Sequence, residues 1–314
     1  MFPVKNNKNL IFIFFLSILF AFSQFQFPLF SSNQNTYLLQ AISNVEGSPL
    51  NLDWLSNQTN HIPLFTWLTE FIYSISPNLI YFAYGILLII LIISLHVIGS
   101  KFADYKFTKT TSVIFFLSFI VIEKYLGVLN IGSHGQHLLG RTFQPSVFGV
   151  FLLTSIALFI SKRVKLSIFS LMVAAYFHPT YILHCAFLVF TYQLIQIFCY
   201  KKTIIHPLVL GLSSLTLIFP LIYFLYFTFL NEPTDILTRS KEILAYDRIR
   251  LSALFEEWKF RRRTILGIFL ILLAITLHFR NIKALMLVAI PFLLGASTVA
   301  FAHITDNLTA TLLF

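Results

Sequence analysis

Charged side chains are scarce in this chain: Asp, Glu, Lys and Arg together make up 11% of its 314 residues. Soluble proteins carry about 25% charged residues, so this sequence has too few to cover a water-facing surface. Hydrophobic residues make up 57% of the chain, and 37 residues are phenylalanine. The composition therefore excludes an ordinary soluble domain and indicates a polytopic membrane protein.

Cysteine is scarce as well, and no pair has the spacing of a metal motif. Cys185 and Cys199 lie in one apolar run, about 21 Å apart if that run is helical, which excludes a disulfide within it. Acidic residues number 12 against 22 basic ones, a formal net charge of +10. Basic residues in a membrane protein first report topology, so we expect membrane lipids as partners and no nucleic acid.

Long apolar runs predict an all-α fold, a polytopic transmembrane helical bundle of about nine spans, since a crossing helix needs roughly 17–25 apolar residues. The predicted spans are 9–30, 78–99, 110–130, 145–160, 164–177, 180–199, 204–230, 264–279 and 282–303. Run 164–177 is an exception, because its roughly 12 apolar residues reach only about 18 Å. We expect one membrane domain over residues 1–314. Cleavage of a signal peptide after Ser23 is an alternative to a retained first span.

The distribution of charge predicts a cytoplasmic N-terminus in a multi-pass membrane protein. Twelve of the 22 basic residues then fall in short inner segments, as the positive-inside rule requires. Among the acidic residues, only Asp104 lies inside. Two outer segments, residues 31–77 and 231–263, are long enough to hold a site. Arg261, Arg262 and Arg263 fall outside in this arrangement, and inversion of the last two helices is the alternative.

The first outer loop is predicted to carry two interfacial helices. The second begins at Pro63, a favoured first helical position. One face of this helix is an apolar stripe formed by Leu64, Leu68, Phe71, Ile72 and Ile75, and the other face carries Thr66, Thr69, Glu70 and Ser74. This pattern predicts that the helix lies in the membrane interface and does not cross it.

Asp53 lies between these helices, next to Trp54. One interpretation is a helix N-cap with a tryptophan anchor at the headgroup level. The other is a general base or metal ligand held at the bilayer surface. The sequence leaves both open.

Further polar groups lie at or near membrane depth. Glu123 falls in the outer third of its span, where an ionisable side chain is expected to face protein or a wet cavity. His134 and His137 are spaced to share a helix face, but the surrounding glycines favour a loop, and zinc would need a third ligand. Arg141 suits a phosphate group, and a headgroup anchor is its alternative role.

His178 and Pro179 join the short run 164–177 to the next span. Because that run cannot cross the bilayer, the turn is expected below the outer surface, next to a cavity open to the outside. A packing or capping histidine is the alternative interpretation of His178. Residues 231–263 predict an amphipathic surface helix whose charges mostly face solvent or headgroups, while a minority form a basic rim for a lipid-linked phosphate.

Four short stretches resemble membrane glycosyltransferases of the GT-C type, including bacterial multi-pass members, and this resemblance implies the bacterial inner membrane as the location. They are Asn33-Gln34-Asn35-Thr36-Tyr37, Leu52-Asp53-Trp54-Leu55, Pro63-Leu64-Phe65 and His178-Pro179-Thr180-Tyr181. The layout is similar too: a first span, a long outer loop with an acidic residue, then a bundle with short inner loops. The resemblance covers about residues 9–230, and residues 264–314 would form the last helix pair of a shortened member.

The resemblance implies transfer of a sugar from a polyprenyl-phosphate carrier to an acceptor at the outer face. Such a reaction needs a carboxylate for the acceptor and a cation for the leaving phosphate. Asp53 and His178 are the catalytic candidates. Candidates for substrate binding are Arg141, Glu70, Glu123, His137 and Tyr181. No residue is assigned as a metal ligand. The cofactor stays open: a divalent metal is one alternative, but no motif supports it, because the first outer loop has no Asp-x-Asp or Asp-Glu pair.

A transporter or lipid flippase is the alternative function, and a non-catalytic membrane scaffold is another. Short or Pro-interrupted spans are typical of transporter sites as well. A carrier, however, needs charges along a path through the bilayer, whereas the acidic residues of this chain collect on one side. We therefore favour the enzyme.

Overall fold

The computed structural model describes the greater part of the chain. The described residues are 7–23, 29–30, 34–54, 56–57, 59–102, 113–114, 117–118, 142–230, 238–239, 243, 269–275, 277 and 280–304. Within these ranges the secondary structure is helical, and none of these residues lies in a β-strand. The predicted all-α class is therefore confirmed for the described part of the chain.

Ten α-helices and two 3₁₀ helices have bounds within these ranges. The α-helices are α1 (Asn7–Ser23), α2 (Gln34–Tyr37), α3 (Leu39–Ser43), α4 (Pro63–Ile75), α5 (Leu79–Phe102), α6 (Val150–Ile160), α7 (Val164–Phe177), α8 (Tyr181–Phe198), α9 (Ile205–Leu230) and α10 (Ile282–Ile304). The 3₁₀ helices are Pro49–Leu52 and Pro145–Gly149.

Three of the described helices are long and apolar enough to cross a membrane. They cover Leu79–Lys101, Tyr181–Phe198 and Ile205–Thr228. Shorter apolar helices occur at Ile11–Ser23, Pro145–Ile160, Val164–Phe177 and Ile282–Thr298. This set is compatible with an integral membrane protein, and the larger number of spans and their orientation stay predictions.

The chain divides into two compact units. The first comprises residues 1–132 and 136–181, and the second comprises residues 133–135 and 182–314. Tyr181, the first residue of α8, belongs to the first unit.

In the first unit, α1 packs against α5, α5 against α6, and α6 against α7. Hydroxyl groups join these helices. Ser94 Oγ of α5 lies 2.9 Å from Thr154 Oγ1 of α6, and Ser155 Oγ of α6 lies 2.9 Å from Ser167 Oγ of α7. Small hydroxyl residues let helices approach closely and bond across the contact, a common way of packing helices in membranes.

The predicted span 145–160 is not one α-helix. Its first turn, Pro145–Gly149, is a 3₁₀ helix, and α6 begins only at Val150. Proline fixes its own φ and lacks an N–H, so it suits a helix start, and Gln144 before it is extended, with φ −151° and ψ 166°. Apolar run length alone could not reveal this change of helix type.

In the second unit, three contacts connect segments that are distant in sequence. Gln193 Nε2 of α8 donates to the carbonyl oxygen of Pro207 in α9 at 2.9 Å. Cys199 Sγ, just after α8, lies 3.6 Å from Met286 Sδ of α10. The ring of Phe269 stacks on that of Phe292 in α10, with centroids 3.8 Å apart.

Candidate functional site

A buried, non-α-helical segment of the first unit has an arrangement that stands apart from the helix packing. Residues 142–150 are all buried, and Thr142–Gln144 are not helical, since the 3₁₀ helix begins at Pro145. Backbone groups buried outside an α-helix need partners from elsewhere. Gln34 of α2 supplies one, because its Nε2 donates to the Phe143 carbonyl oxygen at 3.1 Å. The other end of the same amide, Gln34 Oε1, accepts from Phe30 N at 3.1 Å.

Tyr181 holds the next part of this segment. Its hydroxyl donates to the Ser146 carbonyl oxygen at 2.6 Å, and Gln144 Nε2 donates to Ser146 Oγ at 2.9 Å. Both bonds are buried. Tyr181 therefore holds the backbone at Ser146 in place. The sequence did not indicate this role, since it predicted Tyr181 only as a substrate-binding candidate.

Aromatic rings close the segment on its apolar side. Phe65 of α4 lies against both Phe143 and Phe148, with ring centroids 5.3 Å and 6.1 Å away. Tyr37 of α2 contacts Phe65 edge-on at 6.5 Å. Phe148 stacks on Phe177, the last residue of α7, at 3.8 Å. These rings join α2 and α4 to residues 143–148.

His178 ends α7 and leads into the turn before α8. Its side chain is only 5% exposed, so it lies inside the packed unit. Its Nδ1 is 3.0 Å from Thr180 Oγ1, and its ring lies 5.2 Å from that of Tyr181. The structure thus brings His178 and Tyr181 together, with the histidine supporting the turn from which the tyrosine reaches Ser146.

Asp53 ends a helix and does not begin one. It is the C-cap of the 3₁₀ helix Pro49–Leu52, and its backbone oxygen accepts from Ser56 Oγ at 2.7 Å and from Asn57 Nδ2 at 3.0 Å. The N-cap interpretation is therefore wrong, since the next helix, α4, has Ile62 as its N-cap. The Asp53 side chain is half-buried, and the neighbouring Trp54 is 74% exposed.

Glu70 of α4 is engaged with the preceding helix. Its Oε2 accepts from Asn44 Nδ2 at 3.0 Å, in an exposed pair. Asp53 and Glu70 thus lie at the end of the 3₁₀ helix Pro49–Leu52 and in α4, on elements other than those that carry His178 and Tyr181. Among the residues that the structure describes, no group of three or more His, Cys, Asp or Glu side chains could hold a metal ion.

Three site candidates lie outside the described residues. They are Glu123, His137 and Arg141. Arg141 directly precedes Thr142, and the carbonyl groups held by Gln34 and Tyr181 follow it by two and five residues.

An apolar cleft of about 210 Å³ lies elsewhere in the first unit, between α1 and α5. Phe22, Phe82 and Ile86 line it and are largely exposed. Tyr81 also lines it and accepts a hydrogen bond from Leu29 N at 3.2 Å through its hydroxyl. The walls of this cleft come from runs that the sequence predicts to be uninterrupted spans, so the sequence did not indicate a cleft there.

The sequence also did not identify Gln34, Gln144 and Ser146 as site residues. The sequence contained a signal for each of them: Gln34 lies in the first of the four resembling stretches, and Gln144 and Ser146 flank Pro145. Neither a family model, nor a curated protein, nor a solved structure matches this chain.

Proposed function

We propose that this protein transfers a sugar from a polyprenyl-phosphate carrier to an acceptor at the outer face of the membrane. The observation that supports this proposal is a convergence in the first unit. Three of the four stretches that resemble GT-C enzymes meet at residues 143–148, through Gln34 and Tyr37, through Phe65, and through His178 and Tyr181.

This convergence bears on Arg141, the proposed phosphate-binding residue. Helix caps and membrane anchors that act independently have no reason to meet, whereas a site requires residues distant in sequence to be held together. The two hydrogen bonds to Phe143 and Ser146 restrain the chain just after Arg141. Restraint of the backbone beside a guanidinium lowers the entropy cost of holding it against a phosphate in a bidentate manner.

In the proposed reaction, the acceptor gives its proton to the Asp53 carboxylate while its nucleophilic atom bonds to the anomeric carbon of the sugar. The bond from that carbon to the phosphate oxygen breaks, and polyprenyl phosphate leaves with the electron pair. Arg141 stabilises the charge that develops on this phosphate. His178 is buried, so it assists as a positioning residue for Tyr181. Glu70, Glu123 and His137 are the further residues proposed to bind substrate.

The test is conversion of a radiolabelled polyprenyl-phosphate sugar by the purified full chain in detergent. A general base contributes about 10²–10⁴-fold in rate, so Asp53→Asn should reduce transfer by that factor while the protein stays folded. Arg141→Lys should weaken donor use less, because lysine keeps the charge but loses the planar fork. Glu46→Gln is the matched control, since Glu46 is an exposed carboxylate of the same loop, and it should leave the rate unchanged.

Two results would contradict the proposal. Full activity of Asp53→Asn would remove the role of that carboxylate. Absence of turnover by the wild type with every lipid-linked sugar, together with substrate-driven flux in liposomes, would instead establish the transporter.

A further inference from the structure

Basic residues occupy the tight turns at three helix ends. Of the four non-glycine residues with positive φ in the described part of the chain, three are basic: Lys162 (φ 61°), Lys201 (φ 49°) and Arg280 (φ 48°). This left-handed conformation is unfavourable for any residue with a Cβ, and glycine is the usual choice at the end of a helix. At each of these three positions a basic side chain therefore occupies a conformation that glycine would adopt with less strain.

Two of these turns meet in the second unit. Lys201 lies between α8 and α9, and the amide of Lys202 closes the helix end by donating to the Gln196 carbonyl at 2.9 Å. Arg280 lies two residues before α10, whose second residue, Lys283, places its Nζ 4.7 Å from the centre of the Tyr200 ring.

The sulfur contact between Cys199 and Met286 fixes the same two segments against each other. Burial raises the pKa of Tyr200, so its ring stays neutral beneath the Lys283 ammonium. A cation over an aromatic face is held in place electrostatically. These contacts bring together two segments about 80 positions apart in sequence, and the two segments carry four basic residues: Lys201, Lys202, Arg280 and Lys283.

Two features set the environment of this basic cluster. The sequence contains no Asp or Glu in 182–230 or in 264–304, so these segments offer the four cations no carboxylate. The turn between α8 and α9 also joins two of the helices long enough to cross a membrane. A turn between two such spans lies at the level of the lipid headgroups.

We propose that this basic cluster is a binding site for the phosphate group of an anionic membrane lipid. Lys283 is held over Tyr200, Arg280 and Lys201 project from restrained turns, and Lys202 adds charge beside them. Clusters of basic residues next to a membrane span attract anionic headgroups, with a favourable contribution from each charge near the surface. The site is independent of the proposed sugar transfer.

The test is titration of the detergent-purified full chain with phosphatidylglycerol, followed by native mass spectrometry. Each Lys or Arg near the surface contributes about 1 kcal/mol, so Lys283→Gln and Lys201→Gly should each weaken phosphatidylglycerol binding about fivefold. Lys165→Gln is the charge-matched control, since Lys165 is an exposed lysine of the first unit, and it should bind as the wild type does.

Lys201→Gly separates a lipid role from a merely structural one. Glycine relieves the left-handed conformation, so the variant should melt at a higher temperature than the wild type in phosphatidylcholine nanodiscs. In phosphatidylglycerol nanodiscs that advantage should shrink or reverse, because the lipid contact is lost. An equal rise in both lipids, with unchanged affinity for phosphatidylglycerol, would overturn the proposal.

The source of the phosphate is tested in parallel. We expect inorganic phosphate at the concentration of the lipid to leave phosphatidylglycerol bound, because it lacks the acyl chains that hold the headgroup at the membrane surface. Displacement by inorganic phosphate, or equal binding of phosphatidylcholine, would overturn the assignment to an anionic lipid.

Discussion

The buried threonine hydroxyl groups of α4, on Thr66 and Thr69, differ in their hydrogen bonding. Thr66 Oγ1 donates to the Ile62 carbonyl one turn earlier, at 3.3 Å. Thr69 is fully buried, and its Oγ1 has no hydrogen-bond partner among the described residues. A buried hydroxyl without a partner costs about 1–3 kcal/mol in desolvation.

Valine substitutions at these two positions should therefore have opposite effects. Thr69→Val keeps the shape and removes the unpaired hydroxyl, so it should raise the free energy of unfolding by about 1 kcal/mol. Thr66→Val, the matched control one helical turn away, loses a bond and should lower it by about 0.5–1.5 kcal/mol. Denaturant unfolding in a fixed detergent measures both. Destabilisation by Thr69→Val would show that its hydroxyl does find a partner.

Asp53 shows how much of the site could be foreseen at the scale of single residues. Its place next to a tryptophan, between two helical segments, followed from the sequence. Its position as a C-cap did not, because Asp has a strong general preference for N-caps, and only the fold shows which helix it adjoins. The burial of His178 and its place as a C-cap agree with the packing or capping interpretation that the sequence offered for it.

At the scale of elements, the bounds of the long helices followed from apolar run length. Run 78–99 became α5, run 180–199 became α8, and run 204–230 became α9 within a few residues. The short run 164–177 is α7 over the same residues. Local composition determines where these helices begin and end, because a helix makes its backbone hydrogen bonds within its own segment, whatever its neighbours are.

The orientation of α4 was only partly foreseen. Phe71 and Ile75 of the apolar stripe are 55% and 61% exposed, which is compatible with the predicted interfacial position. The face with Thr66 and Thr69, however, is buried against the protein. Helix periodicity sorts side chains by polarity, but a threonine can bond its own helix and then pack like an apolar residue.

A glycine governs the contact between α8 and α9. A Cβ added at Gly211 would overlap the amide of Gln193, the group that donates to the Pro207 carbonyl. A Cβ added at Gly295 in α10 would have no atom of the described residues within 4 Å, apart from its chain neighbours and its own helix backbone. Alanine should therefore behave differently at the two positions, although both are helical.

Gly295→Ala should raise the free energy of unfolding by about 0.5–1 kcal/mol, the usual gain from glycine to alanine within a helix. Gly211→Ala should give almost no gain, because displacing the Gln193 amide costs about as much. In a Gln193→Ala background, Gly211→Ala should recover the full gain, which a double-mutant cycle measures as a coupling of about 1 kcal/mol. Independent, additive effects would mean that the Gln193 bond does not hold the two helices together.

At the scale of the whole molecule, the charges follow the ends of the helices. Lys162, Lys201 and Arg280 each lie just beyond a helical segment, in turns where positive φ reverses the chain direction. Cations at helix C-termini complement the helix dipole and suit anionic headgroups. The sequence alone assigns all three turns to the cytoplasmic side, where basic residues accumulate.

That orientation makes a prediction for the whole chain, testable by labelling in intact cells. In a background of Cys185→Ala and Cys199→Ala, a membrane-impermeant maleimide should label Ser48→Cys and Ser240→Cys from outside, because both lie in the predicted outer loops. Lys202→Cys should be labelled only after the membrane is permeabilised. Labelling of Ser240→Cys only after permeabilisation would show that the last two helices are inverted, and failure to label Ser48→Cys from outside would remove the outer-face site.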